Sequence, residues 1–214
     1  MKKLWLLVVV LAFACSSNTE DPFEPEIIAE AKLFSLEEIG DGQYAIEAKE
    51  IGTARFAQDG DVVELRISLL GMTPNTAKAV HIHDGTVEEP GRHWNQGSYQ
   101  AACNERSMGR VWARPFIGDV GNVPIGSDGT GELILRTDLW EINSGDEKDV
   151  LNRPIIVHEM STDFAEECNP NHSHEGMHSN PKIGGGRIEL ISDIPLNEQS
   201  IATPEDLPDF LICK

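Results

Sequence analysis

Short apolar segments rich in β-formers recur along the chain, and the polar turns between them predict strands rather than helices. Asp59-Gly60 and Thr73-Pro74-Asn75 are typical turn signals. No stretch keeps a helical period, although residues 138–143 are compatible with a single turn. The predicted strands are Gln43–Ala48, Gly52–Phe56, Val62–Leu69, Lys78–His83, Gly131–Arg136, Pro154–Glu159 and Arg187–Ser192. Many short strands with turn signals favour an all-β fold, an antiparallel sandwich or barrel.

Two long segments without strand character, residues 84–119 and 160–186, interrupt this pattern. Loops of such length in a compact domain are usually functional or disordered. Both contain or flank histidines, which favours function. The chain has 36 acidic and 17 basic residues and a net charge of −19. A surface of this sign repels nucleic acid and excludes DNA and RNA as partners.

The N-terminus has the pattern of a secretory signal. Lys2 and Lys3 precede an apolar run, residues 4–14, that is too short to span a bilayer. Ala14-Cys15 resembles a bacterial lipoprotein box, although Ala12-Phe13-Ala14 is equally readable as an ordinary cleavage site. We expect a lipidated Cys15, an anchor in a membrane, and a location in the bacterial periplasm or at the cell surface.

The same pattern divides the chain into four parts. We expect a signal peptide at 1–14, a lipidated N-terminus with an acidic tether at 15–30, a β-domain at 31–192 and a proline-containing C-terminal extension at 193–214. With Cys15 lipidated, Cys103, Cys168 and Cys213 remain, so one cysteine is unpaired. We expect a Cys103–Cys168 disulfide because both residues lie in long polar loops, and a bridge from Cys213 to either is the alternative.

The seven histidines carry the chemical signal. His81 and His83 stand two residues apart on a predicted strand, so both side chains leave the same face. Two imidazoles held in this way make half of a site for a first-row metal. His93 and His158 lie in other short segments of the predicted domain. The remaining three crowd into one polar loop, His172, His174 and His178.

Five segments, in order between about residues 55 and 191, together resemble the copper/zinc superoxide dismutase family. They are Ala79-Val80-His81-Ile82-His83, Gly91-Arg92-His93-Trp94-Asn95, Gly118-Asp119-Val120-Gly121-Asn122, Ile156-Val157-His158-Glu159 and Gly185-Gly186-Arg187. The resemblance implies an antiparallel Greek-key β-barrel with two long functional loops. It also implies copper ligation by His81, His83, His93 and His158, with His93 in the position of the imidazolate that bridges the two metals. Arg187 would then guide superoxide.

The chain departs from the family where zinc would bind. No histidine occurs between His93 and Asp119, so the usual four-ligand zinc site cannot be built there and we expect copper without zinc. His93 would keep a proton on its second nitrogen, for which Asp119 is the expected acceptor and Asp163 the rival. The loop histidines His172, His174 and His178 are either a substitute metal site or part of a solvated polar loop.

These features predict an extracytoplasmic, copper-dependent enzyme that disproportionates superoxide. A non-enzymatic copper-binding or copper-buffering lipoprotein on the same fold is the alternative. Because the negative surface slows an anionic substrate, a local positive funnel is needed, and Lys182 with Arg187 is the candidate. A protein that supplies copper is an expected partner. Dimer contacts vary widely within the family, so the resemblance predicts no particular oligomeric state.

Overall fold

The computed structural model describes residues 23–94, 117–162 and 180–192. Within these ranges every element of regular secondary structure is a β-strand. No helix long and apolar enough to cross a membrane is found there. The nine strands are β1 (Ile27–Gly40), β2 (Gln43–Asp59), β3 (Val62–Leu69), β4 (Ala77–Ile82), β5 (Asp119–Pro124), β6 (Gly131–Thr137), β7 (Pro154–His158), β8 (Lys182–Arg187) and β9 (Glu189–Ser192).

The strands form one antiparallel sheet that nearly closes on itself. Hydrogen-bonded neighbours follow the order β5-β4-β7-β8-β1-β2-β3-β6, and β9 also pairs with β1. A β-bridge between Ile125 and Gly131 joins the end of β5 to the start of β6. Pairs such as β4–β7 and β1–β8 link strands far apart in sequence, as crossover connections require. The predicted antiparallel β-barrel is confirmed.

The first strand begins within the segment that the sequence predicts as a tether. β1 begins at Ile27, inside the segment expected at 15–30, so the described barrel starts earlier than residue 31. Its residues include several Glu, Lys and Ala, which are depleted in strands and hide the pattern. Pairing with β2 overrides that local preference, because alternate side chains such as Ala29, Ala31 and Leu33 enter the core.

Two further strands were not among the predicted ones. β5 begins at Asp119, the last residue of the first predicted loop, and all of β8 except Arg187 lies in the second; β8 contains Gly184, Gly185 and Gly186. A Cβ at Gly186 would collide with the backbone carbonyl of Lys32 on β1, so the strands can approach only at a glycine. The predicted strands Gln43–Ala48 and Gly52–Phe56 are parts of the single long β2.

The barrel interior is a continuous apolar core, and a second cluster lies outside it. Inward-facing side chains of β3, such as Val63, Leu65 and Ile67, are almost completely buried in the main core. The second cluster contains Leu36 and Tyr44 from the β1–β2 hairpin, Val87 from the connection after β4, and Ile156 from β7. We call these four residues the hairpin cluster. The hairpin therefore packs on the outer face of β7.

Candidate metal centre

Four histidines meet on the outer face of β4 and β7. His81 lies on β4, His83 follows that strand, and His158 ends β7, the antiparallel neighbour of β4. His93 joins them through a β-bridge with His83. Gly118, just before Asp119, packs so closely against this segment that a Cβ would collide with the carbonyl of Ile82. Backbone pairing between these segments therefore fixes the Cα positions from which the histidine side chains extend.

The four side chains converge on one small space. One ligand nitrogen from each of His81, His83, His93 and His158 lies within 4.8 Å of the others. His81, His83 and His158 are almost fully buried, and the side chain of His93 is 11% exposed. The sequence-predicted ligand set is thus brought together in a buried position, where imidazoles are held by the surrounding protein before any metal arrives.

Two of these imidazoles have one nitrogen engaged by a backbone carbonyl. Nδ1 of His83 lies 3.3 Å from the carbonyl oxygen of Gly91, and Nδ1 of His158 lies 3.1 Å from that of Asn180. A carbonyl only accepts, so both Nδ1 atoms carry the proton and both Nε2 atoms keep their lone pairs. The two Nε2 atoms face each other at 3.4 Å.

His81 has the opposite arrangement. Its Nε2 lies 3.4 Å from the hydroxyl oxygen of Thr162 and 3.9 Å from Oδ1 of Asp119. Its buried Nδ1 has no hydrogen-bond partner among the described residues. The proton belongs on Nε2, where acceptors are present, and Nδ1 is left as the donor atom for a metal.

Asp119 lies beside the fourth histidine. Its Oδ1 lies 3.3 Å from Nδ1 of His93, and its carboxyl group is only 1% exposed. A buried carboxylate beside an imidazole N–H fixes the tautomer and the orientation of the ring. The structure places the two groups side by side, and the role of Asp119 as the acceptor for the His93 proton stays a prediction.

Burial keeps the imidazoles neutral. It lowers the pKa of His81 and His83 well below the usual value, and the neighbouring imidazoles lower both further. It also lowers the pKa of His158 to about 3. Each of these three residues is therefore uncharged at neutral pH, the state in which histidine binds metals.

Two asparagines fasten the residues next to the cluster. The side-chain amide of Asn122 bonds both the N–H of Thr162 (2.8 Å) and its carbonyl (2.9 Å). The amide of Asn180 does the same for Met160, at 2.9 Å in each direction. Neither asparagine, nor Thr162, was a predicted site residue, because their role depends on a contact between distant segments. We call these two pairs the asparagine clamps.

The structure does not bring Arg187 to the cluster, and that prediction is corrected. Arg187 pairs with Pro154 at the start of β7, whereas His158 ends the strand, about 13 Å away at roughly 3.3 Å per residue. Its exposed guanidinium donates instead to Oδ1 of Asn152, at 2.5 Å. β8 runs antiparallel to β7, so its final residue lies at the end remote from the histidines.

Lys182 is the residue of β8 that lies opposite His158. Directly opposed residues in an antiparallel pair project from the same face. Burial is the main cause of the lowered pKa of His81, His83 and His158, and the positive charge of Lys182 adds a smaller contribution, so the ammonium group is within electrostatic range of the cluster. Of the two cations suggested for a positive funnel, the geometry supports Lys182.

Several predicted residues lie outside the described ranges. They are Cys15, Cys103, Asp163, Cys168, His172, His174, His178 and Cys213. The lipid anchor, the disulfide, the rival acceptor for His93 and the accessory metal site therefore stay predictions.

Two curated proteins are similar to this chain. The superoxide dismutase-like protein YojM of Bacillus subtilis (strain 168) is 20% identical over 168 residues, which are 75% of this chain and 85% of YojM. The superoxide dismutase (Cu-Zn) of Yarrowia lipolytica (strain CLIB 122 / E 150) is 26% identical over 119 residues, covering 52% and 72% of the two chains.

Solved structures show the same fold. The crystal structure of a SOD-like protein from Bacillus subtilis is 19% identical, with a TM-score of 0.50, over 74% of this chain and 96% of that one. A point mutant of a SOD-like protein from the same organism is 20% identical, with a TM-score of 0.51, over 75% and 97%.

The family model for copper/zinc superoxide dismutase (SODC) matches residues 50–188. That range includes all four converging histidines and every strand from β3 to β8. The match extends over most of the chain and agrees with the barrel and with the histidine cluster, and the chain therefore belongs to the copper/zinc superoxide dismutase family.

Proposed function

We propose that this protein uses copper, held by His81, His83, His93 and His158, to convert two superoxide ions and two protons into oxygen and hydrogen peroxide. The observation that carries the proposal is the convergence of four imidazole nitrogens within 4.8 Å, three of them from almost fully buried, neutral side chains. Family membership supports the same chemistry.

The donor set fits copper. Four imidazole nitrogens are a typical ligand set for Cu(II), and Nδ1 of buried His81, which has no hydrogen-bond partner among the described residues, is suited to a metal bond. When bound, copper supplies a one-electron redox cycle that takes an electron from one superoxide and gives it to a second. Zinc is not expected, because the segment between His93 and Asp119 contains no histidine.

The protein's own groups would prepare this chemistry in two ways. Lys182, on the same face as His158, attracts the anionic substrate towards the cluster. Asp119 holds the proton on Nδ1 of His93, which leaves Nε2 of that ring for the metal. Because Lys182 and Asp119 both lie on barrel strands, both side chains are in position before the substrate arrives.

Asp119→Ala is expected to weaken copper binding by about 10- to 100-fold, since partners that orient a metal-binding histidine typically have effects of this size. Asp119→Asn keeps an acceptor oxygen at the same position and should retain most of the affinity. Competition titrations with a copper chelator measure both variants. Unchanged copper affinity and turnover in Asp119→Ala would remove Asp119 from this role.

A non-enzymatic copper-binding function is the second candidate, and the net charge of −19 favours it. A strongly negative surface slows the approach of superoxide but not of copper ions. In this role the protein would buffer copper or deliver it on the same fold.

We place either function outside the cytoplasm, in the periplasm or at the cell surface, with a lipid anchor at Cys15. The basic and apolar N-terminal run and the Ala14-Cys15 pair support this location. In that location we expect a partner protein that delivers copper to the site.

Metal analysis of the purified protein, reconstituted with copper and zinc together, tests the proposal alongside superoxide turnover. We expect one copper, no zinc, and turnover in proportion to the bound copper. Bound copper without turnover would support the buffering function instead. A stoichiometric zinc ion would show that other residues had rebuilt a second site.

A further inference from the structure

The β1–β2 hairpin extends past the barrel and reaches the neighbourhood of Lys182. In its tip Glu38 lies opposite Tyr44, and Leu36 lies opposite Ile46. The buried members of this tip pack in the hairpin cluster rather than in the main core. The hairpin thus forms a separate wall beside the face that carries His158.

Tyr44 is held firmly within this wall. Its side chain is only 6% exposed, and its backbone N–H donates to the carbonyl of Glu88 at 2.8 Å. The neighbouring Gln43 amide donates to Glu89 at 2.7 Å. Because the connection after β4 fixes the hairpin from its other side, the phenol ring has a defined position.

The ammonium group of Lys182 lies over that ring. Nζ is 5.4 Å from the ring centroid of Tyr44, within the range of a cation–π interaction. Burial lowers the pKa of Lys182, and Glu38, opposite Tyr44, opposes this shift by favouring the charged form. Yet Lys182 forms no ion pair with a carboxylate in the described parts of the chain.

An aromatic ring and a carboxylate can both hold a lysine ammonium group in place, but they differ in how much of its electric field remains. A paired carboxylate fixes the ammonium group but cancels its field, whereas a ring face attracts it and adds no net charge. Burial and the adjacent Glu38 raise the pKa of Tyr44, so the ring is a neutral phenol at physiological pH. The attraction for an anion is therefore preserved.

We infer that Tyr44 is a positioning residue, and that its ring holds the Lys182 ammonium group beside the histidine cluster with its charge available to an incoming anion. This inference rests on the proposed copper function. It assigns a role in substrate attraction to the hairpin, a part of the fold that lies outside the barrel proper.

A double-mutant cycle with sodium azide as the anionic probe tests the inference. On the copper-loaded protein, Tyr44→Leu should weaken azide binding about three- to tenfold, while Tyr44→Phe, which keeps the ring face, should bind as the unmodified protein does. In a Lys182→Gln background, Tyr44→Leu should have no further effect. In superoxide kinetics, Tyr44→Leu should lower kcat/KM and leave kcat unchanged.

A second measurement needs no metal. The ring should shift the Lys182 ε-methylene proton resonances upfield in the copper-free protein, and Tyr44→Leu should abolish the shift. An absent shift, or full azide affinity in a folded Tyr44→Leu variant, would overturn the inference while copper-dependent turnover stood. Failure of the unmodified protein to bind copper or turn over superoxide would contradict the proposed function, and the methylene shift would still report on Tyr44.

Discussion

Replacing His158 with alanine is expected to abolish copper-dependent turnover and to weaken copper binding by more than about 100-fold. Loss of a group that merely orients a ligand already costs about 10- to 100-fold, and loss of the ligand itself costs more. The other side chains of β7 are Pro154, Ile155, Ile156 and Val157, which carry no atom that binds a metal, so none of them can take the place of His158. Copper content after dialysis and superoxide turnover measure the two effects.

His172→Ala and His178→Ala are the matched controls, because each removes one histidine that is not among the four converging histidines of the described residues. Both should retain one bound copper and full turnover. If the His158→Ala protein is folded and still holds its copper while a loop variant loses it, the copper site is in the histidine-rich loop and the assignment to the cluster is wrong.

Lys182→Gln should reduce kcat/KM for superoxide by roughly tenfold, at the lower end of the range that electrostatic attraction of a substrate supplies. The reason is its place opposite His158, where the charge acts on the buried imidazoles. The unmodified protein should lose activity as ionic strength rises, since salt screens an attraction, and the Lys182→Gln variant should show much less of this dependence.

Arg187→Gln makes the same change of charge on the same strand, but about 13 Å from the cluster. It should lower kcat/KM by less than about twofold, because salt screens charges that are more than roughly 10 Å apart. Stopped-flow kinetics at several salt concentrations compare the two variants. A larger loss in Arg187→Gln than in Lys182→Gln would restore the role predicted for Arg187 from the sequence.

Strands were predictable from the sequence where β-branched residues alternate with polar ones. β3 illustrates this, because its predicted and observed bounds coincide at Val62–Leu69. β1 was not predicted, since its alanines and glutamates gain their strand conformation only by pairing with β2. β8 was hidden by three glycines, whose suitability depends on how closely β1 and β7 approach.

The four converging histidines were predictable because each lies in a short sequence segment that resembles a metal-binding segment of the family. The position of Arg187 was not, since a glycine run followed by arginine does not reveal which end of a strand faces the site. Register decides that question, and register depends on pairing with β7. Thr162 and Asn122 carry no local signal, because their contact joins residues 40 positions apart in sequence.

The asparagine clamps have a consequence for how this family member can diversify. Thr162 and Asn180 bound the segment 163–179. The side-chain amide of Asn122 holds the backbone of Thr162, and the side-chain amide of Asn180 holds the backbone of Met160, by two hydrogen bonds each. Closing a longer loop between fixed ends adds only about 0.6 kcal/mol for each doubling of its length. We therefore expect that residues inserted between these anchors, for example by grafting, cost little stability and leave the imidazole geometry unchanged.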